Sequence, residues 1–328
     1  MSSSFTATDV RGIFGIIPTP STPDAGSWQA ADTVDLVTTT QMVQRIAPDV
    51  DALMNLGTFG EGATVTEAEA LAFTKAVVDA AGTVPVFAGA TTLNTRDTIS
   101  RARKLLDVGA RGLFLGRPMW VQLDEDSIVG YYSDIAEAFP ETPVILYDNP
   151  EAFKGKISPT TYARLAKIPT LVAAKYTVLG PSYQDDVAAC GDDLVLLPMD
   201  ADWYQARQLV GDRAAACWSP NAASGMHPLV ALREAIRHNE STTAADIAAR
   251  IKTSFDTLFP TGGFTAFSTY NIPLDKARIA AAGLIDPGPV RPPYAPVPDD
   301  YRAGAVEAGR RWAALEQEFA SRLQATNA

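Results

Sequence analysis

Val144-Ile145-Leu146-Tyr147-Asp148-Asn149-Pro150 and, beyond Ser158-Pro159, Leu171-Val172-Ala173-Ala174-Lys175-Tyr176-Thr177 decide how this chain folds. Each begins as an apolar run without polar alternation, the pattern of a strand in a parallel sheet covered on its outer face. Ser158-Pro159 between them opens a helix with proline at its first position. Working outward, six more short apolar runs occupy residues 12–18, 51–57, 85–91, 112–118, 194–199 and 214–219. Helix signals separate them. Thr66-Glu67-Ala68-Glu69 is a capping box opening a helix over 70–81. Asn94 and Asp97 start a stretch that Gly109 stops, and 124–138 ends before Pro140. Eight strand–helix repeats predict an α/β fold of the (β/α)₈ TIM barrel type with a C-terminal helical extension. A doubly wound open sheet is the rival, and it lacks its phosphate fingerprint here. The barrel is expected over residues 1–240. The extension, 241–328, is expected to pack on it with helices over 244–258, 274–282 and 303–323. Pro260-Thr261-Gly262-Gly263 and a proline-rich stretch over 287–298 lie between those helices.

Composition narrows the chemistry. A net charge of −11 disfavours nucleic acid or an anionic membrane as the main partner. A pocket on such a surface can still be locally positive. Cys190 and Cys217 are the two cysteines, which argues for reduced thiols rather than a disulfide framework. The first residues, Met1-Ser2-Ser3-Ser4-Phe5-Thr6, lack a basic segment followed by an apolar one, and no run is long enough to span a bilayer. A cytoplasmic protein is expected. His227 and His238 are the only histidines, so a zinc site built on several histidines is excluded. Neither Cys-x-x-Cys, Gly-x-Ser-x-Gly nor a Walker A loop occurs. Gly57-Thr58-Phe59-Gly60-Glu61-Gly62 has the glycine spacing of the dinucleotide fingerprint reversed.

Barrel sites lie at the C-terminal ends of the strands. Lys175 and Tyr147 fall there, near the ends of strands six and five. Residues 57–61 follow strand two on the same face, and Arg117 and Trp120 follow strand four. A buried lysine loses its proton more readily, and a neutral amine attacks a ketone to form a Schiff base. The alternative is a lysine whose stem snorkels to solvent or to a carboxylate. Glycines after strand two let backbone N–H groups cradle a carboxylate, or they merely turn the chain. Tyr147 and Trp120 each have a plain packing alternative.

Taken together, Gly57-Thr58-Phe59-Gly60-Glu61, Tyr147 before Asp148-Asn149-Pro150, and Ala174-Lys175-Tyr176 resemble the dihydrodipicolinate synthase / N-acetylneuraminate lyase superfamily. The resemblance implies a class I aldolase needing no metal or organic cofactor. It implies that Lys175 forms a Schiff base with pyruvate or a related 2-keto acid. Tyr147 would shuttle protons, and Gly57, Thr58 and Phe59 would bind the keto-acid carboxylate. Dihydrodipicolinate synthases carry a second threonine where Phe59 stands, a tyrosine at Trp120, and an arginine after the tyrosine segment that residues 151–155 lack. These departures, with residues 57–63, 87–98, 112–120, 147–156, 173–176 and Tyr270-Asn271-Ile272, resemble the trans-benzylidenepyruvate hydratase-aldolases of aromatic-hydrocarbon breakdown. By that resemblance Trp120 and Asn271 join the site, the substrate is an aromatic 2-keto acid, and the protein is a homotetramer. An ortho-carboxylate on the ring is favoured over a hydroxyl. Arg117 either pairs with that carboxylate or forms a structural salt bridge, the latter being favoured. Two rivals stand beside this reading. One is a dihydrodipicolinate synthase or sugar-acid aldolase, which predicts polar residues at Phe59 and Trp120. The other is a non-catalytic barrel that binds a keto acid.

Overall fold

The computed structural model describes residues 5–294 and 297–326. Residues 1–4, 295–296 and 327–328 lie outside the described residues. They include part of the amino-terminal segment, part of the proline-rich stretch and the chain's last two positions.

Eight parallel strands alternate with helices, in chain order β1 (Gly12–Ile16), α1 (Leu36–Ile46), β2 (Ala52–Met54), α2 (Glu67–Ala81), β3 (Val86–Gly89), α3 (Thr95–Asp107) and β4 (Gly112–Leu115). Then come α4 (Glu125–Ala138), β5 (Val144–Tyr147), α5 (Pro159–Leu165), β6 (Leu171–Lys175), α6 (Tyr183–Cys190), β7 (Val195–Leu197), α7 (Trp203–Val210), β8 (Ala216–Ser219) and α8 (His227–Arg237). Each expected apolar run contains one strand. Strand order runs β7-β6-β5-β4-β3-β2-β1-β8. A parallel bridge between Met199 and Trp218 joins the two ends, and the Trp218 N–H donates to the Pro198 carbonyl at 2.9 Å. The result is the closed TIM barrel, not the open sheet.

The helix starts follow local chemistry. Thr66 and Glu69 exchange the reciprocal bonds of a capping box at the head of α2. Asn94, Asp124 and Ser158 each accept an N–H from the first turn of α3, α4 and α5. Leu113, Phe114 and Ile145 in the strands and Phe73, Leu105 and Ile135 in the helices are all essentially buried.

One irregularity positions the site. Between β5 and β6 the register shifts at Val144/Ile145, so Tyr147 lies opposite Lys175. Without that slip Tyr147 would face Ala174. Register partners in parallel strands project to the same side of the sheet, so the two side chains share one end of the barrel.

Four helices follow α8: α9 (Ser241–Ser254), α10 (Gly263–Thr269), α11 (Asn271–Ala282) and α12 (Asp299–Thr326). The first, third and last occupy the regions read as helical. The short α10 was not expected, and α11 begins at Asn271, before residue 274. Phe264 and Phe267 of α10 pack with Phe259, ring centres 5.2–6.4 Å apart. Aromatic packing thus holds a seven-residue helix whose Gly262 cap makes no side-chain bond. Among the described residues no helix is long and apolar enough to cross a membrane.

Candidate active site

Lys175 is the last residue of β6 and is only 5% exposed. Its ammonium rests against ring faces, 3.8 Å from the Trp218 ring centre and 5.0 Å from that of Tyr147. It does not snorkel to solvent. Burial lowers its pKa to about 7, while the nearby negative charge of Asp148 works in the opposite direction.

Tyr147 is clamped on all sides. Its ring stacks on Phe114 at 4.6 Å and meets Phe153 edge-on at 5.3 Å. Its hydroxyl is 2.5 Å from Thr58 Oγ1 and accepts from Asn149 Nδ2 at 3.2 Å. Burial raises the phenol pKa, hydrogen bonds from Thr58 and Asn149 oppose that, and the Asp275 charge adds to it. The phenol therefore stays protonated and available as a donor at neutral pH.

Thr58 reaches Tyr147 because the loop after β2 folds back on itself. Leu56 and Glu61 flank it with positive φ near 53°, and Gly62 N–H donates to the Gly57 carbonyl at 3.2 Å. A Cβ on Gly62 would stand 2.2 Å from the Leu56 carbonyl oxygen, so this turn requires glycine there. Phe59 is buried in the same turn.

Asn271 opens α11 and donates from Nδ2 to Asp275 at 2.6 Å. Trp120 stands apart: its side chain is exposed on the rim, and its carbonyl accepts from Lys154 at 2.6 Å. The structure thus joins Lys175, Tyr147, Thr58 and the 57–61 turn, holds Asn271 against Asp275, and leaves Trp120 at the periphery.

Arg117 resolves to its structural alternative. It is 2% exposed, pairs with Asp148 at 3.2 Å and donates to the Gly155 carbonyl at 2.7 Å. Asp148 also accepts from the Tyr162 hydroxyl at 3.1 Å. A buried arginine so engaged has no free fork for a ring carboxylate.

Trp218, Asp148 and Asp275 are the neighbours that sequence reasoning missed. Trp218 had one available signal: inward residues of alternate strands share a layer, and it lies two strands from Lys175.

A cavity of about 920 Å³ opens at the opposite end of the barrel, beside Gly12, Val195 and Ala215. Its arginines are committed locally, Arg207 to Asp212, Arg213 to Asp192 and Arg233 to Asp51. It lies away from Lys175, and strand-end position, not cavity size, marks the reactive end. Among the described residues no group of three His, Cys, Asp or Glu side chains is arranged to hold a metal ion.

Known proteins match this arrangement across its length. The model of the Dihydrodipicolinate synthetase family matches residues 13–308. The trans-2'-carboxybenzalpyruvate hydratase-aldolase of Nocardioides sp. (strain KP7) is 44% identical over 327 residues, covering 98% of each chain. The trans-O-hydroxybenzylidenepyruvate hydratase-aldolase of Pseudomonas aeruginosa is 42% identical over 329 residues, also covering 98% of each. A solved structure described as PhdJ bound to substrate intermediate superposes with a TM-score of 0.94. It is 46% identical and covers 96% of this chain and 99% of that one. On these grounds the chain is a lyase of the aldolase type and belongs to the dihydrodipicolinate synthetase family.

Proposed function

We propose that the protein is a class I hydratase-aldolase that cleaves a trans-ortho-substituted benzylidenepyruvate to an aromatic aldehyde and pyruvate, in aromatic-hydrocarbon breakdown. The observation that carries this reading is the buried Lys175 amine, with a pKa of about 7, beside a Tyr147 hydroxyl held by Thr58. The amine adds to the C2 ketone and expels water, giving a protonated imine conjugated to the C3–C4 double bond. Water then adds at C4. Its proton passes to a carrier and C3 takes one up, so one water is gained. Removing the proton of the new C4 hydroxyl breaks the C3–C4 bond, the electron pair entering the imine. The aldehyde leaves, the enamine is protonated at C3, and hydrolysis releases pyruvate and Lys175. The imine serves as electron sink in both halves. Tyr147 is the leading proton carrier, and the residue 57–61 turn holds the keto-acid carboxylate.

Phe59 in the turn is the flat apolar surface for the aryl ring, and Trp120, exposed on the rim, would have to fold over the bound substrate to add to it. Overall likeness favours the ortho-carboxylate over the ortho-hydroxyl substrate. The resemblance further supports a homotetramer, the two cysteines without a disulfide framework support a cytoplasmic location, and the strand–helix pattern supports residues 1–240 as the catalytic barrel with 241–328 as an extension packed on it.

Comparing kcat/KM on ortho-carboxy- and ortho-hydroxybenzylidenepyruvate with that on sugar acids and on pyruvate plus aspartate semialdehyde tests the reading. Aldehyde release from the aryl substrates is expected to dominate. Turnover of the sugar acid or semialdehyde alone overturns it.

Tyr147→Phe is expected to lower kcat by about 10²–10⁴-fold, the usual worth of one positioned proton carrier, in a steady-state assay of aldehyde release.

Since the neutral amine attacks, kcat/KM is expected to rise with pH through about 7. Asp148 favours the ammonium, so Asp148→Asn should move that limb to lower pH. A pH–rate profile with an unmoved or raised limb would contradict the assigned electrostatics.

A further inference from the structure

Hydration and carbon–carbon cleavage both need an acceptor at C4, first for the proton of the added water and then for that of the new hydroxyl. Lys175 is consumed in the imine, and Tyr147 is protonated at rest. Asn271 and what lies behind it supply an answer.

Asn271, Asp275 and Arg278 occur at spacings of four and three, so they line one face of α11. Asn271 Nδ2 donates to Asp275 Oδ2 at 2.6 Å. Asp275 Oδ1 accepts from Arg278 Nη2 at 2.9 Å and from Nε at 3.1 Å. Arg278 Nη1 in turn donates to Asn221 Oδ1 at 2.7 Å, and Asn221 Nδ2 donates to Asp200 at 2.9 Å. Asp275, Arg278, Asn221 and Asp200 are all buried, so the row is anchored at the ends of β7 and β8 rather than in solvent.

A carboxylate paired with arginine only accepts. The Asn271 amide must therefore turn its NH₂ toward Asp275, which leaves Oδ1 on the other side. The row meets the barrel at Asn221 and Asp200, just past the C-terminal ends of β8 and β7, the end that carries Lys175.

We propose that Asp275 is a positioning residue: it locks the Asn271 amide so that Oδ1 faces the Lys175 imine and accepts a hydrogen bond from the hydrating water and then from the C4 hydroxyl. This rests on the hydratase-aldolase reading above. Asp275 touches no reacting atom, and the Asn271 oxygen takes a hydrogen bond but no proton: that of the water or of the C4 hydroxyl passes to solvent, or to Tyr147 once the phenol has delivered its own to C3. Pyruvate binding and imine formation do not involve this acceptor, so the yield of trapped pyruvate adduct should depend on Asp275 far less than aldehyde release does.

The test compares Asp275→Asn, Asp275→Glu, Asn271→Ala and the double variant Asn271→Ala/Asp275→Asn with wild type. Two quantities are read: kcat for aldehyde release from benzylidenepyruvate, and the yield of borohydride-trapped pyruvate adduct by intact mass. In Asp275→Asn the new amide can offer its own NH₂ to Asn271 and let that amide flip. Its kcat is expected to fall by about 100-fold, the scale of a misplaced orienting group. Adduct yield should stay within about two-fold. Asp275→Glu, which keeps the carboxylate, should recover part of kcat, and the double variant should lose no more than Asn271→Ala alone. If Asp275→Asn fails to fold, Asp275→Asn/Arg278→Gln removes both buried charges and takes its place. Unchanged kcat, parallel loss of kcat and adduct, or additive losses overturn the proposal while leaving the function standing. Wild type that releases no aldehyde overturns both.

Discussion

Lys175→Met is expected to yield no borohydride-trapped pyruvate adduct and to lower kcat/KM by about 10⁵-fold or more, as removal of a covalent nucleophile does elsewhere. The same variant should be more stable than wild type at neutral pH, by about 2–4 kcal/mol. Burial holds the Lys175 pKa at about 7, below the ordinary 10.5. The folded state therefore releases this proton at lower pH than the unfolded chain does. Between about pH 7 and 10.5 the unfolded chain binds more protons, so this group makes stability rise with pH. At pH 7 and below nearly the full cost of burying the ammonium is present, partly offset by the Trp218 and Tyr147 faces. Methionine fills a similar volume without charge, so the gain should be largest at and below about pH 7 and fade toward about pH 10. Urea unfolding at several pH values, beside mass spectrometry of the trapped adduct, reads both effects. An adduct that persists in the variant removes Lys175 from the chemistry. A variant no more stable than wild type at neutral pH shows that its burial costs little.

How much of this was legible depends on the range of the signal. Strands β1–β8 could be read because a covered parallel strand leaves a short apolar run, and their helices because Thr66, Asn94, Asp124 and Ser158 cap within one turn. Lys175 stood out because a lysine in such a run contradicts its surroundings. What brings Tyr147 opposite it, the register slip at Val144/Ile145, leaves no mark in either segment. Trp218 reaches the lysine only through barrel closure, which joins residues 43 positions apart. Arg117 was ambiguous until burial beside Asp148 showed its fork already occupied. Helix α10 escaped because seven residues carry too little periodicity, and its aromatic packing partner Phe259 lies outside it. Glu61 was visible only as the end of a glycine turn, and its partners lie more than 200 positions away in the extension.

Those partners make Glu61 the site of the largest expected loss of stability. The side chain is wholly buried, and Oε2 lies 2.5 Å from Arg291 Nη1 and 2.7 Å from Lys276 Nζ. Oε1 accepts the Arg291 backbone N–H at 2.9 Å. Arg291 also donates to Thr33 and to the Thr19 and Pro20 carbonyls, and Lys276 to Ser21 and the Pro289 carbonyl. One carboxylate thus compensates two buried cations and ties α11 and the segment after it to the turn that carries Thr58. Glu61→Gln keeps the shape but leaves both cations without their counter-ion, at a cost of about 3–5 kcal/mol. Lys276 gives the loss a pH dependence. Burial lowers its pKa to about 8, and Glu61 is what raises it against that trend. Without Glu61 it releases its proton at still lower pH. The deficit relative to wild type should therefore be greatest near and below neutrality. It should shrink above about pH 8, where Lys276 is neutral in both proteins and only the Arg291 pair differs. Because the turn end loosens while Lys175 is untouched, KM for the keto acid should rise several-fold more than kcat falls. Denaturant unfolding below and above about pH 8, with steady-state kinetics on the folded variant, separates these effects. A variant within about 1 kcal/mol of wild type at neutral pH would mean that Arg291 and Lys276 are satisfied by the surrounding carbonyls and hydroxyls alone. The 57–61 turn would then hold its shape through its glycines and its backbone bonds, without help from the C-terminal helices.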